Sequence, residues 1–240
     1  VKFLFHFILV LFLIFSCKNK VEQKKNLVVP DTLKNSVEAA ENKDHIKKAE
    51  HVGWVELKTL DSTFVYDIRY ATTNNFVHKK MYSCGKCFLR KEVAFLLLKI
   101  QKKLLQKDMR LKLFDCYRPG KVQQELWKIM PNPSYVANPR KGSMHNRGVA
   151  VDLTIVDSAG NELDMGTNFD YFGKEAYHSY TNFPEKILKN RILLKSIMQQ
   201  YGFEPIKSEW WHYSFRKKSF PLAQWEWECK SRKKKDMNKK

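Results

Sequence analysis

The sequence predicts an α+β fold in a single domain, and three observations lead there. Strand-like and helix-like stretches follow one another without strict βαβ alternation. Residues 92–105 place Val93, Leu96, Leu97, Ile100 and Leu104 at helical spacing, whereas residues 64–70 alternate as a strand does. Apolar residues make up 43% of the 240, with 16 Phe, 10 Tyr and 6 Trp as bulky core material. A domain of about 150 to 200 residues with that content buries most of its apolar surface unaided. A metal in such a chain would therefore serve chemistry rather than folding.

The elements run in order as follows. Residues 64–70 form the first strand and residues 92–105 the first helix. Residues 111–114 make a short strand. Pro119 stands where a helix can begin, and residues 122–129 continue it. Residues 148–156 are the strongest β segment. Residues 185–201 form a helix, with Gly202 as its C-terminal stop. Residues 211–215 close the series as a short strand.

Both ends differ from this middle. Val1-Lys2 lead into an apolar run from Phe7 to Phe15, and Ser16-Cys17 give way abruptly to Lys18-Asn19-Lys20. That pattern reads as a secretory signal over residues 1–16. The run is too short for a spanning helix, which needs about 20 residues. The junction also resembles that of a bacterial lipoprotein, which makes Cys17 the expected lipidation site. Residues 17–51 are rich in Lys, Glu, Asn and Asp and read as a tether, with a short helix near 36–50. The folded domain is expected over 52–229, and residues 230–240 as a disordered basic tail. The expected location is a membrane-anchored lipoprotein facing the periplasm or cell exterior.

The net charge of +19 first suggests nucleic acid. Much of it sits in the terminal segments; the stretch 230–240 alone holds seven Lys/Arg against one Asp. No helix-turn-helix, finger or RNP-like motif accompanies it, so nucleic acid is set aside as a partner. A basic tail near a membrane would instead be drawn to anionic lipid. Cys84, Cys87, Cys116 and Cys229 remain besides Cys17. Cys84-Gly85-Lys86-Cys87 lacks the second pair of a zinc site. Structural disulfides and semi-buried thiols both fit these cysteines, and spacing does not choose between them.

Two clusters carry chemistry: Ser143-Met144-His145-Asn146-Arg147-Gly148-Val149-Ala150-Val151-Asp152 and Glu209-Trp210-Trp211-His212. A catalytic zinc takes three protein ligands and keeps one position open. His145 and Asp152 flank a turn and a β run, and His212 would join them from another strand. An Asp within a β core is rarely buried without a partner. Glu209 precedes His212 by three residues and is the candidate general base and acid. Arg118, in Asp115-Cys116-Tyr117-Arg118-Pro119, would stabilise an oxyanion.

These segments, together with Tyr70-Ala71-Thr72-Thr73-Asn74-Asn75-Phe76 and Met165-Gly166-Thr167-Asn168-Phe169-Asp170, occur in an order that resembles the D-alanyl-D-alanine dipeptidases of the VanX type. That group belongs to a zinc D,D-peptidase clan sharing its fold with the Hedgehog signalling domain. The resemblance covers residues 54–229. It implies a mostly antiparallel central sheet flanked by helices and one zinc per chain, on His145, Asp152 and His212. It implies Glu209 as base and acid, and Arg118 on the tetrahedral intermediate. Ser143 would help hold the substrate carboxylate, and Tyr70 with Asp170 the ammonium. The implied substrate is a small dipeptide. The well-known dipeptidases of this type are cytoplasmic, so an export signal points to cell-wall dipeptide turnover rather than glycopeptide resistance. A D,D-carboxypeptidase or endopeptidase on longer wall peptides is the enzymatic rival. A non-catalytic zinc or wall-binding module is the other, though it would need neither Glu209 nor Arg118.

Overall fold

The structure, a computed structural model, describes residues 52–227 and Cys229. The expected signal, Cys17, the tether with its short helix, and the basic tail lie outside those residues. Among the described residues no helix is long and apolar enough to cross a membrane.

Helix α1 (Lys91–Leu105) buries Val93, Ala94, Leu97, Ile100, Gln101 and Leu104, close to the stripe its spacing predicts, with Leu96 of that stripe only partly buried. The buried Gln101 is bonded at both ends of its amide: the nitrogen donates to Thr63 Oγ1 and the oxygen accepts from the Leu111 N–H, each at 2.8 Å. Helix α2 spans Gly120–Ile129 and α3 spans Glu185–Gln200. Past α3, Gly202 adopts φ +85, the left-handed conformation that ends a helix at glycine.

The strands form two sheets. Strands β1 (Trp54–Glu56) and β3 (Phe88–Arg90) make an antiparallel pair that the sequence did not reveal, nor did it reveal the strand Phe203–Ile206. The main sheet contains β2 (Val65–Tyr66), β4 (Arg110–Asp115), β5 (Ala150–Val156), β6 (Phe203–Ile206) and β7 (Glu209–Phe215). Its spatial order is β2-β4-β5-β7-β6. Every pairing is antiparallel except β2 with β4, which meets the expectation of a mostly antiparallel α+β domain. Strands β5 and β7 are buried at every position.

One predicted strand is shorter than expected. Within residues 64–70 only Val65–Tyr66 pair, and Arg69–Ala71 turn into a 3-10 helix. The alternation there reflects a different fate for the aromatic: Tyr70 leaves the sheet and points to Asp170, 3.2 Å from its carboxylate.

After β7 the chain returns across the β1–β3 side. Trp225 packs on Trp54, Phe88 and Tyr117 at centroid distances of 5.1, 5.0 and 4.6 Å. The Tyr117 hydroxyl donates to the Trp225 carbonyl at 2.8 Å. Disulfides join Cys84 to Cys229 and Cys87 to Cys116, with Cα separations of 6.1 and 5.2 Å that suit the bond. The two cysteines of the C-x-x-C stretch therefore serve two different cross-links.

Candidate metal centre and substrate cavity

The sheet brings distant residues together by register. Asp152 of β5 lies directly opposite His212 of β7. His145 opens a 3-10 turn, His145–Arg147, that precedes β5 and ends in Gly148 at φ +70. A side chain at Gly148 would collide with the Trp54 ring, so the motif's glycine is required twice over. Asp152 Oδ1 is 2.9 Å from His212 Nδ1 and 3.4 Å from His145 Nε2, and the two ring nitrogens are 3.1 Å apart. One ligand atom from each residue lies within 4.8 Å of the others, and all three residues are buried.

These residues fit a metal. His145 Nδ1 donates to the Cys116 carbonyl at 2.7 Å, which leaves the Nε2 lone pair facing Asp152 and His212. An orienting acceptor on the far nitrogen is what metal-binding histidines commonly have. Burial works to raise the Asp152 pKa, but His145 and His212 outweigh it and hold the carboxyl below its usual range. Two imidazoles and a carboxylate suit zinc.

Glu209 stands at the start of β7, its Oε2 4.0 Å from His212 Nδ1. In a regular strand residues three apart face opposite sides. The β6–β7 register shifts between Pro205 and Ile206, and that irregularity accompanies the turn of Glu209 toward the metal side. Burial, then Asp152 and Asp170, push the Glu209 carboxyl well above its ordinary pKa, against a smaller pull from Arg118.

Arg118 is buried, not a surface ion pair. Its Nε and Nη2 donate to Asp115 Oδ2 at 3.0 and 2.7 Å, and Nη1 donates to Gln123 Oε1 at 3.0 Å. Its main-chain N–H reaches the His145 carbonyl at 3.2 Å, which binds the arginine segment to the histidine turn. Asp115 is itself held, accepting from the Tyr82 hydroxyl at 2.7 Å and the Cys116 N–H at 2.9 Å. At the opposite side the Tyr70 hydroxyl donates to Asp170 Oδ2. Asp170 keeps some surface toward the cavity, yet desolvation and the nearby Asp152 raise its pKa to about 8. Ser143 Oγ accepts the His145 N–H at 3.2 Å.

Tyr70, Arg118, Ser143, His145, Asp152, Asp170, Glu209 and His212 line one cavity of about 420 Å³. All eight residues singled out in the sequence meet there. A larger groove of about 540 Å³, lined by residues such as Arg69, Glu162 and Trp210, contains none of them. No role for Asp115, Gln123 or Tyr82 was legible in the sequence. Asp115 was visible three residues before Arg118, but a carboxylate acting on another side chain carries no motif of its own.

Known proteins resemble this chain over the same residues. A family profile described as D-Ala-D-Ala dipeptidase matches residues 50–229. The D-alanyl-D-alanine dipeptidase of Escherichia coli K12 is 35% identical over 176 residues, 73% of this chain and 91% of that protein. The dipeptidase of the same description from Enterococcus faecium is 28% identical over 200 residues, 75% of this chain and 99% of that one. A vancomycin-resistance D,D-pentapeptidase solved with Zn(II) is a distant likeness, at 17% identity and a TM-score of 0.35 over 54% of this chain and 73% of that one. The chain is a metallopeptidase. It belongs to the D-Ala-D-Ala dipeptidase family.

Proposed function

We propose that the chain hydrolyses the D-Ala-D-Ala dipeptide to two D-alanines, with zinc on His145, Asp152 and His212. The observation that carries this is the convergence of a three-ligand cluster, a buried carboxyl and a preoriented guanidinium on one cavity. Zinc in such a site supplies Lewis acidity, bringing water toward a pKa of about 7 and polarising the scissile carbonyl. Glu209 takes the proton of the attacking water and returns it to the leaving amine. Burial raises its pKa above the ordinary carboxylate value, the direction that helps a group which must accept a proton and then hand it on. Arg118, its Nε and Nη2 held by Asp115 and Nη1 by Gln123, meets the oxyanion with little reorganisation. Ser143 helps receive the substrate carboxylate. Tyr70 and Asp170 receive the ammonium, whose charge favours the ionised form of Asp170.

A partner for each end of a dipeptide makes selectivity steep, because a substrate lacking one charge leaves a buried group unpaired. The test compares D-Ala-D-Ala with its N-acetyl derivative and with a wall pentapeptide ending in the same pair. Faster release of D-alanine from the free dipeptide is expected. Faster cleavage of the pentapeptide would replace this reading with a D,D-carboxypeptidase. That second reading draws support from the cavity's lining, which besides the charged groups includes Pro133, Tyr135 and Phe172.

The same proposal puts the enzyme outside the cytoplasm, anchored through Cys17 and turning over wall dipeptide. Two disulfides favour an oxidising compartment. The dipeptidase activity would then fractionate with membranes, and activity confined to the cytosol would defeat this part.

A further inference from the structure

We infer that Arg191 of α3 is a positioning residue that fixes the loop presenting Asp170, and through it the preference for a substrate with a free ammonium. The inference rests on the reading of Asp170 just given.

Arg191 is only 6% exposed, yet its three nitrogens go to main-chain carbonyls of one loop. Nε donates to Met165 at 2.7 Å, Nη2 to Glu175 at 2.8 Å and Nη1 to Tyr177 at 3.1 Å. Its guanidinium lies over the Phe183 ring, 4.7 Å from the ring centroid. The preceding residue of α3, Asn190, donates to the Asp164 carbonyl at 2.8 Å. One turn of helix thus grips both roots of the segment 164–177. A third tie runs to β7, where Trp210 Nε1 donates to Thr167 Oγ1 at 2.8 Å.

Asp170 stands between these anchors at φ +60. Non-glycine residues seldom adopt that conformation, and it persists only when the surroundings impose it. Burying a cation is costly unless it is well bonded, and an apolar side chain on the inner face of α3 would pack without that cost. A planar fork reaching three carbonyls at once is a task for arginine and not for lysine, which is a point donor on a flexible stem. The arrangement is therefore better explained by the loop it shapes than by core packing.

The test uses the full chain with Arg191→Met, Arg191→Lys and, as a comparator, Leu194→Ala, which opens a core cavity in the same helix. Arg191→Met is expected to raise KM for free D-Ala-D-Ala roughly tenfold or more, in line with the cost of misplacing a binding group, with a smaller change in kcat. It should also narrow the kcat/KM ratio between free and N-acetylated dipeptide and speed amide exchange across residues 165–177, with bound zinc at the wild-type level. Arg191→Lys should recover part of each effect, and Leu194→Ala should lower Tm without moving the ratio. Parallel loss of kcat/KM for both substrates, or wild-type exchange in residues 165–177, would overturn the inference. A wild-type enzyme with no preference for the free dipeptide would instead sink the reading of Asp170, and the exchange measurement would still decide what Arg191 holds.

Discussion

Asp115 never faces substrate in this scheme, yet it decides what Arg118 can do. It accepts two of the guanidinium's hydrogen bonds, and Tyr82 holds it in place. Asp115→Asn keeps the shape and removes the charge. It is expected to lower kcat roughly tenfold to a hundredfold, the scale of a slightly misplaced catalytic group, with zinc content unchanged. Asp170 gives a pH signature in the metal-free protein. Its folded pKa of about 8 lies above the 3.8 of an ordinary aspartate, so between those values the native state holds a proton that the unfolded chain has released. That contribution is complete below the unfolded pKa and is lost as pH rises through the folded one. Stability of the chelated protein should fall across that window by at most about 1.4 kcal/mol per pH unit. Urea titrations of Asp170→Asn should show a flatter profile, and an unchanged slope would assign the effect elsewhere. The eight residues that line the candidate site were legible because the chemistry proposed for them restricts such positions to few types at set spacings. Asp115, Gln123 and Arg191 were not, because a residue acting through another can occupy any position the fold brings near.

At the scale of elements, β5 and β7 do most to build the centre, since their register sets Asp152 against His212. The sequence shows β5 and the 211–215 part of β7 as strands, but not Glu209–Trp210 at the start of β7, and the short β1, β3 and β6 leave too little periodicity to detect. The strand expected over residues 64–70 failed for a physical reason: alternation records which side chains are buried, and Tyr70 is buried from a 3-10 turn. The cross-links separate two structural roles. Losing either disulfide is expected to cost about 2–4 kcal/mol in stability, a typical value for a native bridge. Only the Cys87–Cys116 bridge adjoins the carbonyl that orients His145. Cys87→Ser with Cys116→Ser should therefore weaken zinc binding roughly tenfold or more, as loss of an outer-layer partner does. Cys84→Ser with Cys229→Ser should leave zinc affinity near wild type. Equal zinc affinities in the two double variants would contradict this division.

For the whole molecule, folding and metal binding are linked without being the same event. The core contains Trp211, Tyr117, Tyr213, Phe114 and Phe203 fully buried, and two disulfides tie the described chain together. The apoprotein is expected to remain folded. Chelation should lower Tm and abolish activity, and added zinc should restore both, because a ligand at about a hundred times its Kd contributes roughly 2.7 kcal/mol. Complete unfolding on chelation would mean that the metal serves the fold. The overall α+β class was legible from composition and periodicity alone. The return of the C-terminal segment to the β1–β3 side was not, since aromatic contacts between Trp225 and Trp54 leave no local pattern. The most direct measurement is zinc content and D-alanine release from D-Ala-D-Ala for the wild-type protein and Glu209→Gln, side by side. Both proteins should carry one zinc per chain while the variant loses roughly a hundredfold or more in rate, the contribution of a positioned base. A wild-type protein without zinc, or a Glu209→Gln variant that hydrolyses the dipeptide at full rate, would contradict a catalytic zinc centre at His145, Asp152 and His212.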